Sequence, residues 1–192
     1  MNREEVYEEI KLENHYLNTS GYIDSCMNRL PVDGKGNAIP WYAYSFIHFL
    51  EPRLTKDMRV FEYGCGNSTI WYSKRVKEVV GVDDKIPFIE MINKEVGDNV
   101  KLLHRTEDYA KAIIGQGLFD IIVIDGEDRE QCAEYALKHL TDNGVIIWDN
   151  SNCMTKELFK GWKIIEFSGL IGICTYEGFT SVVYKDNNCL GI

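Results

Sequence analysis

The sequence predicts an α/β protein with a doubly wound, mostly parallel seven-stranded sheet and an antiparallel C-terminal strand pair. Three observations carry this expectation. From Arg59 onward, short apolar runs alternate with helical patterns in the order strand, turn, helix, which is the order that builds a parallel sheet. Runs such as Phe119–Ile124 and Val145–Trp148 are nearly continuous in apolar residues, as strands covered by helices on both faces require. Past Asn150 the strand–helix alternation gives way to two strand-like runs flanking a glycine-rich bend.

Length and composition bound the rest. A chain of 192 residues fits one domain with a sizeable core, divided here into an N-terminal helical cover over 1–52 and the sheet over 53–192. Apolar residues at 45% and charged residues at 27% are ordinary for a soluble globular chain. The net charge of −9, with no Lys/Arg stripe, repels a phosphate backbone and argues against nucleic acid as a partner. No apolar run is long enough to span a bilayer, so no membrane partner is expected. The acidic opening MNREEVYEEIKLEN lacks the apolar stretch of a signal peptide, and a cytoplasmic location is expected. Six dispersed cysteines form neither a CxxC pair nor a Cys/His cluster, which reads as free thiols and no zinc.

The elements follow in order. The first residues form a polar helical piece, followed by the turn-rich Pro31–Asn37. Trp41–Leu50 is an apolar helix on the sheet, stopped near Pro52, which disfavours helix in the residue before it. Strands are expected at Val60–Tyr63, Glu78–Val82, Val100–His104, Phe119–Ile124 and Gly144–Trp148. Helices are expected at Ser68–Val76, Pro87–Val96, Asp108–Ile114 and Glu127–Leu140. Trp162–Phe167 and Thr180–Tyr184 form the closing pair around Gly169–Gly178.

The turn after the first strand, Val60-Phe61-Glu62-Tyr63-Gly64-Cys65-Gly66-Asn67-Ser68-Thr69, is the most informative segment. Gly64 and Gly66 allow a sharp turn and a close backbone approach to a ligand, and Asn67 or Ser68 can cap the helix that follows. In open α/β sheets ligands bind just beyond the carboxyl ends of the strands, where this turn lies. A dinucleotide fingerprint wants a third glycine where Thr69 stands. Glu62, two residues before Gly64, suits an amine better than a pyrophosphate, which it would repel.

The run Glu62-Tyr63-Gly64-Cys65-Gly66-Asn67-Ser68 resembles the first motif of the class I S-adenosylmethionine (SAM)-dependent methyltransferases, a Rossmann-like fold. The likeness extends through "FDIIVID" and "NGVIIWDN" and covers most of 59–150, about half the chain. It implies that the Gly64/Gly66 turn, with Asn67 and Ser68, holds SAM and that Glu62 lies near its amino acid end. Asp83, ending the second strand about twenty residues on, is implied to hold the ribose, with Asp84 as the alternative. Glu107 or Asp108 is implied at the adenine amino group, with Tyr109 beside the ring, although Asp108 also suits a helix N-cap.

At the ends of strands four and five stand Asp125, Asp149 and Asn150. Adjacent strand ends lie about 5 Å apart, and two carboxylates with an amide oxygen suit Mg2+ or another divalent cation. The set is similar to that of the cation-dependent O-methyltransferases of the catechol and caffeoyl-CoA type, where the metal grips two adjacent substrate oxygens. Asp125 is thereby the candidate catalytic residue and a candidate cofactor contact; the alternative to a metal is that Asp125 and Asp149 cap the strand ends or touch the methionine portion of SAM. Where those enzymes carry a catalytic lysine this chain has Asp128, followed by Arg129, an alternative partner for an acidic substrate or a brace for the loop.

The expected function is methyl transfer from SAM to an oxygen of a small-molecule or sugar-derived acceptor. The alternatives are an NAD(P)-dependent oxidoreductase and a non-catalytic SAM-binding module. His15 and Tyr16 are candidates for reaching the acceptor from the cover, and Trp41 and Tyr42 for bordering the cofactor. Cys65 reads as a small filler. The N-terminal arm is a candidate for packing on a second copy in a homo-oligomer.

Overall fold

The computed structural model describes residues 1–192. The N-terminal region folds as α1 (Arg3–Ile10), α2 (Tyr16–Thr19), α3 (Tyr22–Asn28) and α4 (Tyr44–Leu50). The seven strands are β1 (Arg59–Tyr63), β2 (Glu78–Asp83), β3 (Val100–His104), β4 (Phe119–Ile124), β5 (Leu140–Asp149), β6 (Lys163–Leu170) and β7 (Glu177–Tyr184). Between the strands lie α5 (Asn67–Ser73), α6 (Ile86–Asn93) and α7 (Arg129–Ala136).

The strands lie in the order β3-β2-β1-β4-β5-β7-β6. β1 to β5 are parallel, and β7 runs antiparallel to both β5 and β6. The expected mixed seven-stranded sheet and its closing pair are therefore present. The order reverses between β1 and β4, so these neighbours send their connections to opposite faces and open a crevice at their carboxyl ends.

Side-chain alternation fills both faces. Val60, Ile121, Val123, Val145 and Ile147 point to one side, where Tyr42, Phe46, Ile47, Trp71 and Tyr72 cover them. Phe61, Tyr63, Ile122, Ile124, Ile146 and Trp148 point to the other, against Cys132, Ala133, Ala136 and Ile113. This two-sided burial explains why the strands are apolar at consecutive positions.

Several boundaries differ from expectation. The helix foreseen at Asp108–Ile114 is a 3₁₀ helix at Tyr109–Ile113, entered through a left-handed Asp108 (φ 51°). The apolar helix starts at Tyr44 rather than Trp41, because Ala43 is extended and bridges to Ile171. α7 is shorter than foreseen because Asp128, also left-handed (φ 48°), precedes it and β5 already begins at Leu140. β6 and β7 run further toward each other, leaving 171–176 as their loop. No helix is long and apolar enough to cross a membrane.

Candidate active site at the carboxyl edge of the sheet

The chain leaves β1 through Gly64, whose backbone is left-handed (φ 92°), a conformation that favours glycine. A Cβ there would lie 2.9 Å from the Gly126 nitrogen, so the turns after β1 and β4 pack backbone against backbone. At Gly66 a Cβ would meet only Ser68 Oγ, at 3.9 Å, which leaves open space above the turn. Cys65 fills the gap beneath: a Cβ on Gly81 of β2 would stand 2.5 Å from its Sγ. Burial pushes the Cys65 thiol well up, consistent with a packing role.

Neither Asn67 nor Ser68 caps α5, because the helix starts at Asn67 itself. The Asn67 amide instead donates to Pro31 O at 2.6 Å and ties the turn to the N-terminal cover. Thr69, first read only as the place of a missing glycine, holds the turn together. Its hydroxyl accepts from the Gly66 N–H at 3.1 Å and donates to the Glu62 carboxylate. Glu62 is fully buried under the turn, with Oε1 unpartnered. Burial pushes its carboxyl up to about 7, against the pull of the Ser68 and Thr69 hydroxyls.

Asp83 closes the same turn from β2. One carboxylate oxygen accepts from the Cys65 N–H at 3.0 Å and the other from the Lys85 N–H at 2.8 Å. Asp83 and Asp84 both line a cavity of about 540 Å³, together with Gly64, Gly66, Asn67 and Ser68. Glu107 and Asp108 do not line it. The left-handed start of the 3₁₀ helix leaves Asp108 in solvent, paired with Lys111 at 2.5 Å. Tyr109 lines the cavity in their place, its hydroxyl donating to Val82 O at 3.1 Å. A Cβ on Gly126 would strike that hydroxyl at 2.2 Å.

Asp125, Asp149 and Asn150 line the same cavity, Asp125 beside the Gly64 turn. Asp149 is buried, and Thr180 donates to its Oδ1 at 2.6 Å while accepting from the Ala43 N–H at 3.3 Å. Arg129 spans the two strand ends. Its Nη2 donates to the Asp125 carbonyl at 3.1 Å and to Oδ1 at 3.3 Å, its Nη1 to the Asp149 carbonyl, and its Nε to Gly126 O at 3.0 Å. Desolvation, then the Asp149 charge, pushes the Asp125 carboxyl well up, with Arg129 opposing. Burial pushes Asp149 up to about 6, against Thr180 and Arg129.

These contacts fit a divalent cation poorly. The guanidinium already lies against Asp125 and bridges to Asp149, the Asp149 carboxylate is engaged by Thr180, and Asn150 is a left-handed (φ 52°), exposed residue. No group of three or more His, Cys, Asp or Glu is arranged to hold a metal ion.

The cover contributes Arg29, Leu30, Pro31 and Trp41 to the lining, and the β6–β7 loop adds Ile171, Ile173 and Tyr176. Tyr42 is fully buried behind Trp41 and does not border the cavity. His15 and Tyr16 do not reach it either. The His15 ring accepts from the Leu17 N–H at 3.2 Å to cap α2, and Tyr16 packs edge-on against His48. Thr180 carried no sequence signal, because its role arises from contacts between distant segments, whereas Thr69 acts locally on Gly66 and Glu62 and the β6–β7 loop lies within the glycine-rich bend Gly169–Gly178.

No protein-family model matches the sequence, and no curated protein matches it. Solved structures do. The precorrin 8w decarboxylase of Methanobacterium thermoautotrophicum is 17% identical with a TM-score of 0.64, over 82% of this chain and 97% of that one. The O-methyltransferase of Bacillus cereus, in complex with SAH, is 19% identical with a TM-score of 0.61, over 94% and 96%. An O-methyltransferase of tomaymycin synthesis from Streptomyces achromogenes, in complex with SAM, is 19% identical with a TM-score of 0.59, over 95% and 96%. This chain has the Rossmann-like fold of the class I SAM-dependent methyltransferases.

Proposed function

We propose that the protein is a SAM-dependent methyltransferase acting on an oxygen of a small-molecule or sugar-derived acceptor. One observation carries the reading. The Gly64–Gly66 turn, fastened from below by Asp83, opens at the sheet's switch point into a cavity that Asp125 and Asp149 also line. The residues fit SAM. Carboxylates at Asp83, Asp84, Asp125, Glu127 and Asp149 outnumber the cations at Arg29, Lys85 and Arg129 along the lining, which favours a sulfonium and disfavours a pyrophosphate. The open space over Gly66 leaves room for a ligand.

In this reading Gly64, Gly66, Asn67 and Ser68 bind the amino acid end, with the unpartnered Glu62 oxygen beneath. Asp83 receives the ribose hydroxyls, with Asp84 beside it, and Tyr109 rather than Glu107 or Asp108 borders the adenine. Bound SAM supplies an already activated methyl group, so the protein's work is positioning and proton handling. Asp125 takes the proton of the acceptor hydroxyl. A carboxyl raised well above its usual range is a stronger base than a free one, as that task requires. Trp41 and the β6–β7 loop shield this end from water.

Calorimetric titration with SAM and S-adenosylhomocysteine tests the reading on wild type and Asp83→Ala. Micromolar binding that weakens at least tenfold in the variant is expected. Absence of binding to either ligand, or binding of NAD(P) in their place, overturns it.

A further inference from the structure

The two strand ends that carry Asp125 and Asp149 are adjacent, and one side chain joins them. Arg129 stands at the start of α7, immediately after the left-handed Asp128. That geometry turns its guanidinium back over the β4 and β5 termini. All three guanidinium nitrogens are engaged: Nε on Gly126 O, Nη1 on Asp149 O, Nη2 on Asp125 O and Oδ1. A planar fork of fixed geometry meets these acceptors with three separate nitrogens, where a lysine ammonium offers a single one. The side chain keeps 27% of its surface exposed, on the cavity it helps to line.

We infer that Arg129 is the resident cation of this site, set where a divalent ion would otherwise bridge Asp125 and Asp149, and that the acceptor end works without a metal. The guanidinium does structurally what a bridging ion does, since it pairs with the Asp125 carboxylate and pins the two strand ends through the Asp125 and Asp149 carbonyls. A second positive centre of double charge beside it would face repulsion at a few ångström. It would also find the Asp149 carboxylate already engaged by Thr180. One consequence rests on the methyltransferase reading. An acceptor held here need not present two adjacent oxygens, because there is no ion to chelate, and its single hydroxyl or anionic oxygen is received by Arg129. The cation assignment itself stands without that reading.

The test uses Mn2+ as the probe, read by loss of the free-ion electron paramagnetic resonance signal, with no SAM present. Wild type is expected to show no site tighter than millimolar. Arg129→Met removes the charge while keeping bulk, and is expected to bind Mn2+ at least tenfold more tightly than wild type. Adding Asp149→Asn to that variant is expected to abolish the gain. Sub-millimolar Mn2+ binding by wild type that disappears in Asp125→Asn overturns the inference, and this arm needs no Arg129 variant to fold. A folded Arg129→Met protein that gains no affinity overturns it as well. Calorimetry with S-adenosylhomocysteine on the same samples reports separately on the methyltransferase reading.

Discussion

The Thr69 hydroxyl donates to the carboxylate of Glu62 while accepting from the Gly66 N–H at 3.1 Å. One side chain thus satisfies a buried acid and a turn amide at the position where a nucleotide fingerprint would have glycine. Thr69→Val keeps the shape and removes both bonds, leaving the buried Glu62 carboxylate and the half-buried Gly66 amide without this partner. A loss of about 1–3 kcal/mol is expected, read as a lower urea midpoint. Thr69→Ser is expected to retain most of the stability. An unchanged midpoint in the valine variant would show that the bond pair contributes nothing.

The same burial predicts a pH dependence. Glu62 is raised from 4.5 to about 7, so between these values the folded state binds a proton that the unfolded state has released. Stability is therefore greatest below about pH 4.5 and falls as pH rises toward 7, by about 3 kcal/mol from this group. Urea unfolding at pH 5 and pH 8 should show the decline in wild type. Glu62→Gln keeps an oxygen for Thr69 and removes the titration, so its decline should be smaller. Equal slopes in the two proteins would refute the assignment to Glu62.

Much of this architecture was legible beforehand, and the residues show why. A nearly continuous apolar run located β4 to the residue, since two covered faces leave no other pattern. Gly64, Asp83, Asp125 and Asp149 announced themselves by standing at strand ends, where backbone direction alone carries them to one edge. Thr180 could not be read this way. It reaches Asp149 only because β7 pairs antiparallel with β5, with Asp149 opposite Thr180, a register no local pattern encodes. Glu107 and Asp108 misled for a local reason: left-handed backbone at Asp108 and a 3₁₀ turn after it place both in solvent.

Gly81 and Cys65 form a size-matched pair across the first turn. A Cβ on Gly81 would stand 2.5 Å from the Cys65 Sγ and 3.2 Å from Leu102 Cδ2. Gly81→Ala is expected to cost about 1–3 kcal/mol by overpacking, and to weaken S-adenosylhomocysteine binding because the Cys65 N–H is what Asp83 holds. Cys65→Ala should recover part of both losses in the double variant. A double-mutant cycle with no coupling energy would mean that the two sites relax independently.

Gly64 offers a sharper test of the turn. Its φ of 92° strains any residue with a Cβ, and that Cβ would press on the Gly126 backbone at 2.9 Å. Backbone cannot rotate away as a side chain does, so Gly64→Ala should separate the β1 and β4 turns. Binding of S-adenosylhomocysteine is expected to fall at least a hundredfold in calorimetry, with a loss of about 1–3 kcal/mol in stability. Gly66→Ala, with open space at its Cβ, should leave stability close to wild type while weakening the ligand. Equal effects of the two substitutions on stability would remove the distinction drawn between these glycines.

Thr180 connects the cover to the acid pair, and its removal has a signed consequence. Its hydroxyl donates to Asp149 and so favours the charged carboxylate, which burial otherwise pushes up to about 6. Thr180→Val removes that donor and raises the Asp149 carboxyl further. The Asp149 charge is one of the causes that raise the Asp125 carboxyl, so an Asp149 that protonates more readily relieves that repulsion and lets Asp125 ionise at lower pH. The acid limb of kcat for methyl transfer should move to lower pH. Turnover relative to wild type is then greatest on the acid limb and falls back toward it as pH rises, while Thr180→Ser restores the original profile. A merely structural role, through the Ala43 N–H that Thr180 also accepts, would lower turnover by the same factor at every pH. A profile of unchanged shape would therefore separate Thr180 from the proton chemistry and leave it as a fastening of the cover alone.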